Sequence, residues 1–575
     1  MATADTATGQ GSPTTDQPVT AQVAADRRRL QEAQAAGLGA TLKTFVRLSG
    51  PGWLQSAITL GGGSLAGSLY LGVIGGYELL WLQPLMMILG IVMLSAIAYV
   101  TLSTGERPFG AINRSISPVL GWAWLLAAMM ANLVWAMPQF SLGTAALQQN
   151  LFPDVAFLAG RQGEWVCAGV LFALAAIVIA FYESGGWGVK VFEGILKAMV
   201  GLVVVSFFGV VAAMSWKGQL DWGAIASGFV PDVSLLWRPV ASLRTFIDAS
   251  GDAAYWTETI LATQRERMIA AAATAVGINM TFLLPYSMLR KGWDKTFRGL
   301  ACFDLSTGLF IPFLLATSCV VIAAASQFHA RFDDSQLALP AAQIEGQYRG
   351  NLEARLKAEL GGEAFAALDT AAVNERIDAL PEADKQLSLM LVKRDAFDLA
   401  RALENLFGKG GLTQKIFGVG VLGMAISTII ILMVINGFCV NEMFGWSGGA
   451  GSRLGGLVGS LLPGVTGSLG FLWLWSNSDA KFWLAVPTSN FGMALLPIAY
   501  ITFFLMMNSR SLLGDALPTG RWRLLANLLM LAAILAASVG AGMSIWANIG
   551  WIGVLLVAVL LVLAAVVPAR ERPAA

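Results

Sequence analysis

The 575-residue sequence has little charge. Asp, Glu, Lys and Arg make up 13% of it, about half of their share in soluble domains. Hydrophobic residues make up 56%, and the mean hydropathy is +0.66. This composition excludes a soluble domain of this size. The net charge of +1, without a concentrated basic face, also excludes nucleic acid as a partner.

Histidine and cysteine are scarce as well. His329 is the only histidine, so the chain has neither a histidine cluster for zinc nor a Ser/His/Asp arrangement for covalent catalysis. The four cysteines lie in or beside apolar runs without a CxxC spacing, which is typical of packing residues. They are Cys167, Cys302, Cys319 and Cys439. We therefore expect no enzyme activity, no cofactor and no metal ligated by cysteine or histidine.

Apolar runs dominate the sequence, and each is long enough to cross a hydrocarbon layer of ~30 Å. They occupy residues 50–74, 79–103, 118–147, 164–182, 191–214, 268–290, 300–326, 414–440, 453–475, 482–507, 522–544 and 549–568. The predicted fold is an all-α polytopic membrane protein of about 12 spanning helices in a lipid bilayer. Basic residues such as Arg107, Lys291 and Arg510 fall in alternate loops. The positive-inside rule then places both termini in the cytoplasm, with the chain in the cell membrane.

The segments between and before the runs predict the domain organisation. Residues 1–40 lack an apolar signal region and predict a disordered cytoplasmic tail. Two stretches fall on the outside, a loop over 216–266 and a charged segment over 327–412, which predicts a small helical insert with a solvated surface. The spanning helices divide into a five-helix repeat over 45–215, a second over 267–508, and two additional helices within 521–568.

Two of these runs are interrupted. The first contains Gly61, Gly62 and Gly63, and three consecutive glycines, at ~1 kcal/mol each relative to alanine, disfavour a continuous helix. The sixth contains Pro285 within Leu284-Pro285-Tyr286-Ser287. Because these are the first helices of two five-helix halves, the pattern predicts an inverted-repeat transporter with its site near the midplane. The alternative is that the glycines only allow close helix packing and the proline only kinks its helix.

Interrupted helices present backbone groups to a ligand. The carbonyls of residues 57–60 and 281–284 would face a cation, and the amides near Ser64 and Tyr286 would face an anion. The candidate substrate-binding residues are Thr59, Gly61, Gly62, Gly63, Ser64, Leu284, Pro285, Tyr286, Ser287 and Asn490.

Polar residues inside other runs are candidates for gating or coupling, because ionisable groups in a membrane are costly and commonly functional. They are Gln139, Glu193, Lys197 and Asp304. Glu193 and Lys197 are four residues apart, so we expect them to pair on one helix face as a gate or a strut. Asp304 is expected to pair with Arg298 or Lys295.

Several segments resemble the Nramp (natural resistance-associated macrophage protein) family of divalent-metal transporters. The similar segments are Gly50-Pro51-Gly52-Trp53-Leu54, Gly75-Gly76-Tyr77-Glu78-Leu79-Leu80-Trp81, Gly143-Thr144-Ala145-Ala146-Leu147, Val191-Phe192-Glu193, Phe417-Gly418-Val419-Gly420 with Ser427-Thr428, and Asn508-Ser509-Arg510. The resemblance covers the membrane core. It implies a LeuT-type fold with 5+5 inverted repeats and two additional C-terminal helices.

The resemblance also implies which ligands are missing. The family's Asp-Pro-Gly-Asn motif aligns with residues 61–64, its Met-Pro-His motif aligns with residues 284–286, and the acidic positions of its proton route align with Met137 and Phe140. A site that lacks the Asp carboxylate of the first motif and the Met thioether of the second is expected to bind transition metals poorly. Thr59, Ser64, Tyr286 and Asn490 could instead hold a partly hydrated Mg²⁺.

Three functions remain open from the sequence. The first is secondary transport of a divalent cation held by backbone carbonyls and water. The second is transport of an organic or anionic solute by the same fold, since the glycine-rich break exposes amides. The third is a sensor or scaffold that has lost transport. The predicted partner is thus a small solute or an inorganic cation, and the oligomeric state is left open.

Overall fold

The computed structural model describes residues 21–184, 187–394, 398–399, 412–446, 449–475 and 484–567. All regular secondary structure in these ranges is helical. Within them, ten helices are long and apolar enough to cross a membrane, and one bent helix pair makes an eleventh span. A shorter apolar helix, Trp551–Val566, is the twelfth. The prediction of about twelve spanning helices is confirmed.

The described residues of the first half of the chain form nine α-helices. They are α1 (Ala21–Ala36), α2 (Leu38–Leu48), α3 (Pro51–Thr59), α4 (Gly62–Gly75), α5 (Leu82–Thr104), α6 (Pro108–Ser115), α7 (Pro118–Ala145), α8 (Gly160–Ser184) and α9 (Trp187–Trp216). The bent pair α3 and α4 forms the first span, and α5, α7, α8 and α9 form the next four. A π-helical turn, Ala146–Leu151, extends α7.

The second half repeats this arrangement after a loop with two short helices, α10 (Trp222–Gly228) and α11 (Ala241–Asp248). Its five spans are α12 (Ala253–Ala273) with α13 (Ile278–Arg290), α14 (Arg298–Asp304) with α15 (Phe310–Phe328), and then α21 (Leu412–Met443), α22 (Gly449–Gly470) and α23 (Ala485–Asn508). The insert contains α16 (Asp334–Leu337), α17 (Gly346–Leu360), α18 (Gly362–Ala366), α19 (Thr370–Asp378) and α20 (Glu382–Met390). The chain ends with α24 (Arg510–Leu513), α25 (Gly520–Ile549) and α26 (Trp551–Val566).

Burial separates a central group of helices from a lipid-facing group. In the span formed by α12 and α13, 94% of the apolar window is buried, whereas in α25 only 22% is buried. Nearly every residue of α3 and α4 is buried as well. The two interrupted spans therefore lie in the centre, where neighbouring helices replace lipid and can satisfy the backbone groups that a break leaves free.

The two sides of the membrane domain are named here by what they carry. The terminal face carries α1, α2 and the start of α3. The insert face carries the end of α4, the loop helices α10 and α11, and the insert. The last span also ends at the terminal face, where the Ser117 hydroxyl donates to the carbonyl of Val567 at 3.1 Å.

The N-terminal segment is not the disordered tail predicted over residues 1–40. Residues 21–36 form α1, in which Leu30 is fully buried. Arg27 forms an ion pair with Asp294 at 2.5 Å, next to the end of α13. The prediction was wrong for this segment because these tertiary contacts stabilise a helix that the amino-acid composition of the segment does not favour by itself. Residues 1–20 lie outside the described residues.

The insert is helical, as predicted, and has its own small core that includes Ile344, Leu352 and Ile377. It is joined to the membrane domain through a buried carboxylate on α20, Asp384, which accepts hydrogen bonds from the Trp256 indole and the Gly251 amide. Residues 395–397 and 400–411, within the predicted insert, lie outside the described residues.

The single histidine lies at the insert face. His329 Nδ1 is 2.9 Å from the carbonyl of Val73, and Nε2 is 2.7 Å from the Ser242 hydroxyl. The Ser242 hydroxyl also lies 2.9 Å from Glu78, whose carboxylate accepts the amide of Ala241 at the start of α11. Because a carbonyl can only accept, Nδ1 carries a proton and donates to Val73. The histidine therefore links α4 to the loop helices.

We expect this link to make stability depend on pH. Burial lowers the pKa of His329 below its ordinary value, partly offset by the Val73 carbonyl and by Glu78. A lowered pKa means that the fold favours the neutral ring, so its contribution is present above the ordinary pKa and is lost as pH falls through the lowered value. Between about pH 7.5 and about pH 5, the thermal unfolding midpoint should fall more for the native chain than for His329→Gln. Parallel curves would contradict the prediction.

Candidate functional site

The first span is broken at Leu60 and Gly61, and α3 and α4 meet there at an angle of 54°. The carbonyl of Thr59, exposed by the break, accepts a hydrogen bond from the Ser64 hydroxyl. A Cβ added at Gly61 would lie 2.4 Å from Thr428 Oγ1, so the close approach of α21 requires glycine here. The predicted interruption is confirmed, and Gly62 and Gly63 form the first turn of α4.

The second interruption lies elsewhere than predicted. Helix α12 ends at Ala273 and α13 begins at Ile278, with Gly277 in an extended conformation. Pro285 lies within α13, and Leu284, Tyr286 and Ser287 continue the same helix. The prediction at 284–287 was wrong because a buried helix whose neighbours satisfy its backbone tolerates a proline. The four-residue connection from Thr274 to Gly277 ends α12 instead.

A cavity of about 50 Å³ lies where these two breaks meet. This volume accommodates a small ion with a few waters, since one water needs ~10–15 Å³. It is far below the ~300–1,000 Å³ of pockets for organic ligands. The polar residues that line it are Thr59, Ser64, Gln139, Thr274, Asn279, Thr428, Thr488 and Ser489.

All of these polar side chains are neutral. The described residues contain no group of three or more His, Cys, Asp or Glu side chains placed to hold a metal ion. The carbonyl ends of α3 and α12 point toward the breaks, and a helix C-terminus carries partial negative charge. At the start of α4, the Gly62 amide already donates to Gln139 Oε1 at 2.9 Å. The site thus offers oxygens to a cation, while this amide is not available to an anion.

A thioether also lines the cavity. Met280 Sδ lies 3.2 Å from Thr59 Oγ1 and 3.4 Å from the Gly277 amide. Aligning the family motif with Leu284 predicted a site without a thioether, whereas Met280 places one beside the cavity. The break lies at residues 274–277, ten residues before the predicted position at 284–287, and Met280 occupies the first turn of α13.

A buried pair of asparagines adds an oxygen without a partner. Asn279 Nδ2 donates to Asn132 Oδ1 at 3.2 Å. Asn279 Oδ1 is buried and has no hydrogen-bond partner among the described residues, and the same holds for Gln55 Oε1 on α3. Buried acceptors are normally satisfied, and Asn279 lines the cavity whereas Gln55 does not, so the Asn279 oxygen is the one that favours a cationic ligand. Neither residue was selected from the sequence, because an amide in an apolar run does not reveal whether its oxygen is satisfied.

The other predicted substrate-binding residues divide into two groups. Thr59, Gly61, Gly63 and Ser64 line the cavity, as does Gln139, which was predicted as a gating residue. Residues 284–287 do not. Tyr286 instead stacks on Phe282, with ring centroids 4.6 Å apart, toward the terminal face.

Asn490 was predicted because it lies on a helix facing the broken pair. Its neighbours Thr488 and Ser489 line the cavity, whereas the carbonyl of Asn490 accepts a hydrogen bond from Ser544 at 3.0 Å. Helix α23 is correctly placed, but the side chains facing the cavity are one and two residues earlier.

The ionic contacts that the structure shows at the terminal face differ from those predicted from the sequence. Glu193 pairs with Lys291 at 2.9 Å, and Lys197 Nζ lies 3.5 Å from the carbonyl of Ser49. The expected pairing of Glu193 with Lys197 was wrong because each contacts another segment that packs against α9. These contacts join α9 to the end of α13 and to the residues just before α3.

Asp304 was expected to pair with Arg298 or Lys295, and this was also wrong. Its buried carboxylate accepts the amides of Gly50 at 3.1 Å and Gly52 at 2.6 Å, and also the hydroxyl of Ser49. These groups form the N-terminus of α3, where a negative charge is stabilised by free amides and by the helix dipole. Asp304 therefore anchors the terminal-face half of the first span.

Two interrupted helices at corresponding positions of two five-helix halves define an integral membrane protein of the LeuT-type inverted-repeat class. A manganese transporter of Eremococcus coleocola, solved as a mutant, has the same fold: 13% identity, a TM-score of 0.56, and coverage of 92% of this chain and 93% of that one. The family model for natural resistance-associated macrophage protein-like proteins matches residues 52–348, more than half of the chain. The protein belongs to the Nramp family.

Curated relatives match over a shorter stretch. The chain is 29% identical over 163 residues to Metal transporter Nramp3.2 of Populus trichocarpa, covering 28% of this chain and 30% of the relative. It is 26% identical over 163 residues to Metal transporter Nramp2 of Oryza sativa subsp. japonica, covering 28% and 29%. The match spans less than a third of the length of these relatives.

Proposed function

We propose that the protein is a secondary transporter that moves a divalent metal cation through the cavity between the two broken helices. The observation that carries the proposal is the donor set: neutral oxygens, a buried Asn279 oxygen without a hydrogen-bond partner, and the Met280 thioether. Carbonyl ends of α3 and α12 add partial negative charge. The names of the relatives, which are metal transporters, point in the same direction.

The sulfur bears on which ion is carried. Thioethers prefer soft or borderline ions, whereas Mg²⁺ and Ca²⁺ prefer oxygen ligands. Thr59 Oγ1 lies closer to the Gln55 carbonyl, at 2.8 Å, than to Met280 Sδ, at 3.2 Å. A hydroxyl has one proton, so donation to the stronger carbonyl acceptor leaves one sulfur lone pair available beside the one that accepts the Gly277 amide. We therefore propose that the transported ion accepts a thioether ligand better than Mg²⁺ does, which favours the soft ion Cd²⁺ most and the harder ion Mn²⁺ less.

The experiment is ion uptake into proteoliposomes containing the full chain. The native chain should take up Mn²⁺ and Cd²⁺ in preference to Mg²⁺. Met280→Leu keeps the volume but removes the sulfur, so it should raise the half-saturating Cd²⁺ concentration by about tenfold, which equals ~1.4 kcal/mol. Mg²⁺ uptake should change little. The matched control is Met506→Leu, at a buried methionine of α23 that does not line the cavity.

The outcomes distinguish cation transport that uses the Met280 sulfur from cation transport by oxygens and water, and from transport of an organic solute. If the native chain takes up none of the three ions, cation transport is wrong. If Mg²⁺ and Cd²⁺ enter equally and Met280→Leu changes neither, the ion is held by oxygens and water, and the role of sulfur is wrong. Uptake of a small amino acid without any cation uptake would favour an organic solute, despite the small cavity.

We further propose that the terminal face is cytoplasmic and that the protein resides in the cell membrane. The basic residues at that face, including Arg107, Arg114 and Lys291, support this orientation through the positive-inside rule. The insert and the loop helices then lie outside.

A further inference from the structure

Helix α2 has two distinct faces. One packs on the protein, with the Phe45 ring 5.3 Å from that of Phe303. The other exposes an apolar stripe of Leu38, Leu42 and Val46, whose exposed fractions are 78%, 41% and 67%. These three residues are four positions apart, so they form one continuous line along the helix.

Basic side chains lie next to this stripe. Lys43 and Arg47 are exposed on the adjoining arc of α2. Arg47 also lines a groove between α1 and α2 together with Arg29 and one acidic residue, Glu32. An apolar stripe bordered by basic residues is the pattern of a helix that lies in the plane of a membrane interface.

The position of α2 in the chain identifies the surface that it meets. Only Ser49 and Gly50 separate it from α3, the start of the first membrane span. The helix is thus held where the bilayer ends. There, acyl chains are available to the stripe and headgroups to the basic residues.

We propose that α2 is an anchor for anionic lipid at the terminal face. Leu38, Leu42 and Val46 insert between the acyl chains, while Lys43 and Arg47 bind anionic headgroups. The surface attraction of anionic lipid for each basic side chain corresponds to about a fivefold change in affinity.

The anchor is connected to both broken spans. Helix α2 leads into α3, while α1 contacts the segment after α13 through the ion pair of Arg27 with Asp294 and through packing of Val23 on Gly292. Lipid binding by α1 and α2 therefore acts on the terminal-face ends of α3 and α13, whose other ends meet at the cavity. This inference does not depend on which solute the cavity carries.

The test uses a spin label on α2 in the full chain reconstituted into vesicles. Cys302 is the exposed native cysteine among the four, so Cys302→Ser together with Val46→Cys directs the label. In vesicles containing phosphatidylglycerol, the label at 46 should be relaxed by oxygen dissolved in lipid and protected from an aqueous nickel complex. The matched control is Cys302→Ser with Gln34→Cys, an exposed position on polar α1, which should show the reverse.

The second part of the experiment varies the charge of the lipid and of α2. Vesicles of phosphatidylcholine alone should reduce protection at 46, and Lys43→Gln with Arg47→Gln should reduce the phosphatidylglycerol dependence by about fivefold per side chain. A label at 46 that is as accessible to nickel as the label at 34, in both lipids, would overturn the proposal and leave the stripe for a protein partner. Protection that is equal in both lipids would overturn the role of the anionic headgroup.

Discussion

Replacing Asp304 with alanine is expected to lower the free energy of unfolding by about 3 kcal/mol, because the buried amides at the start of α3 lose their acceptor. The carboxylate accepts from Gly50 and Gly52 and is itself 1% exposed. Because the position is buried, water does not replace the carboxylate as the acceptor of these amides. A fall of several degrees in the thermal unfolding midpoint of the purified chain measures the effect.

The same substitution should reduce transport more than stability alone explains, since α3 supplies the Thr59 side of the cavity. Asn at 304 keeps the size but presents an amide that accepts through only one oxygen, so its effect should be intermediate. The control is Asp369→Ala, at an exposed helix cap where the carboxylate accepts the Ala372 amide at 2.8 Å. Loss of that exposed cap should cost about 1 kcal/mol. Equal effects at 304 and 369 would contradict the anchoring role of Asp304.

Asp384→Ala is expected to have an effect of similar size, about 3 kcal/mol, because it removes the buried charge partner of Arg355 and leaves only Glu359, which is 51% exposed. Arg355 Nε lies 3.0 Å from Asp384 Oδ1, and the two side chains are 3% and 0% exposed. Asp384 also accepts the indole of Trp256 and the amide of Gly251, which belong to the membrane domain. The insert should therefore detach from the start of α12.

Hydrogen exchange across residues 334–390 and thermal unfolding measure this detachment. The matched control is Glu353→Ala on the same helix as Arg355. Glu353 pairs with Arg349 at 2.6 Å, but the side chains are 34% and 22% exposed, so the loss should stay below about 1 kcal/mol. If Asp384→Ala leaves exchange in the insert unchanged, the carboxylate does not join the insert to the membrane domain.

The sequence predicted one of the two breaks correctly, and the difference has a physical cause. At residues 61–63, three glycines weaken the helix intrinsically, so composition alone is informative. At Pro285, only one donor is removed, and the surrounding helices decide whether the helix continues. The connection from Thr274 to Gly277 carries a single glycine, which is too weak a signal to locate a break.

Side-chain partners were harder to predict than helices. Glu193 and Lys197 have the spacing of a pair, yet each bonds to a segment distant in sequence, Lys291 and the carbonyl of Ser49. Asp304 is close in sequence to basic residues but bonds to backbone amides about 250 positions away. Local spacing describes one helix, whereas these contacts depend on how helices cross.

By itself, the sequence determined that this is a membrane protein of about twelve helices with a broken first span, because length, apolarity and glycine act locally along the chain. The family also follows from motifs whose order is a property of the sequence. Only the tertiary structure decided that Met280 and Asn279, rather than residues 284–287, face the cavity. Moving the break from residues 284–287 to residues 274–277 changes which side chains meet the site, and packing among several helices fixes where the break lies.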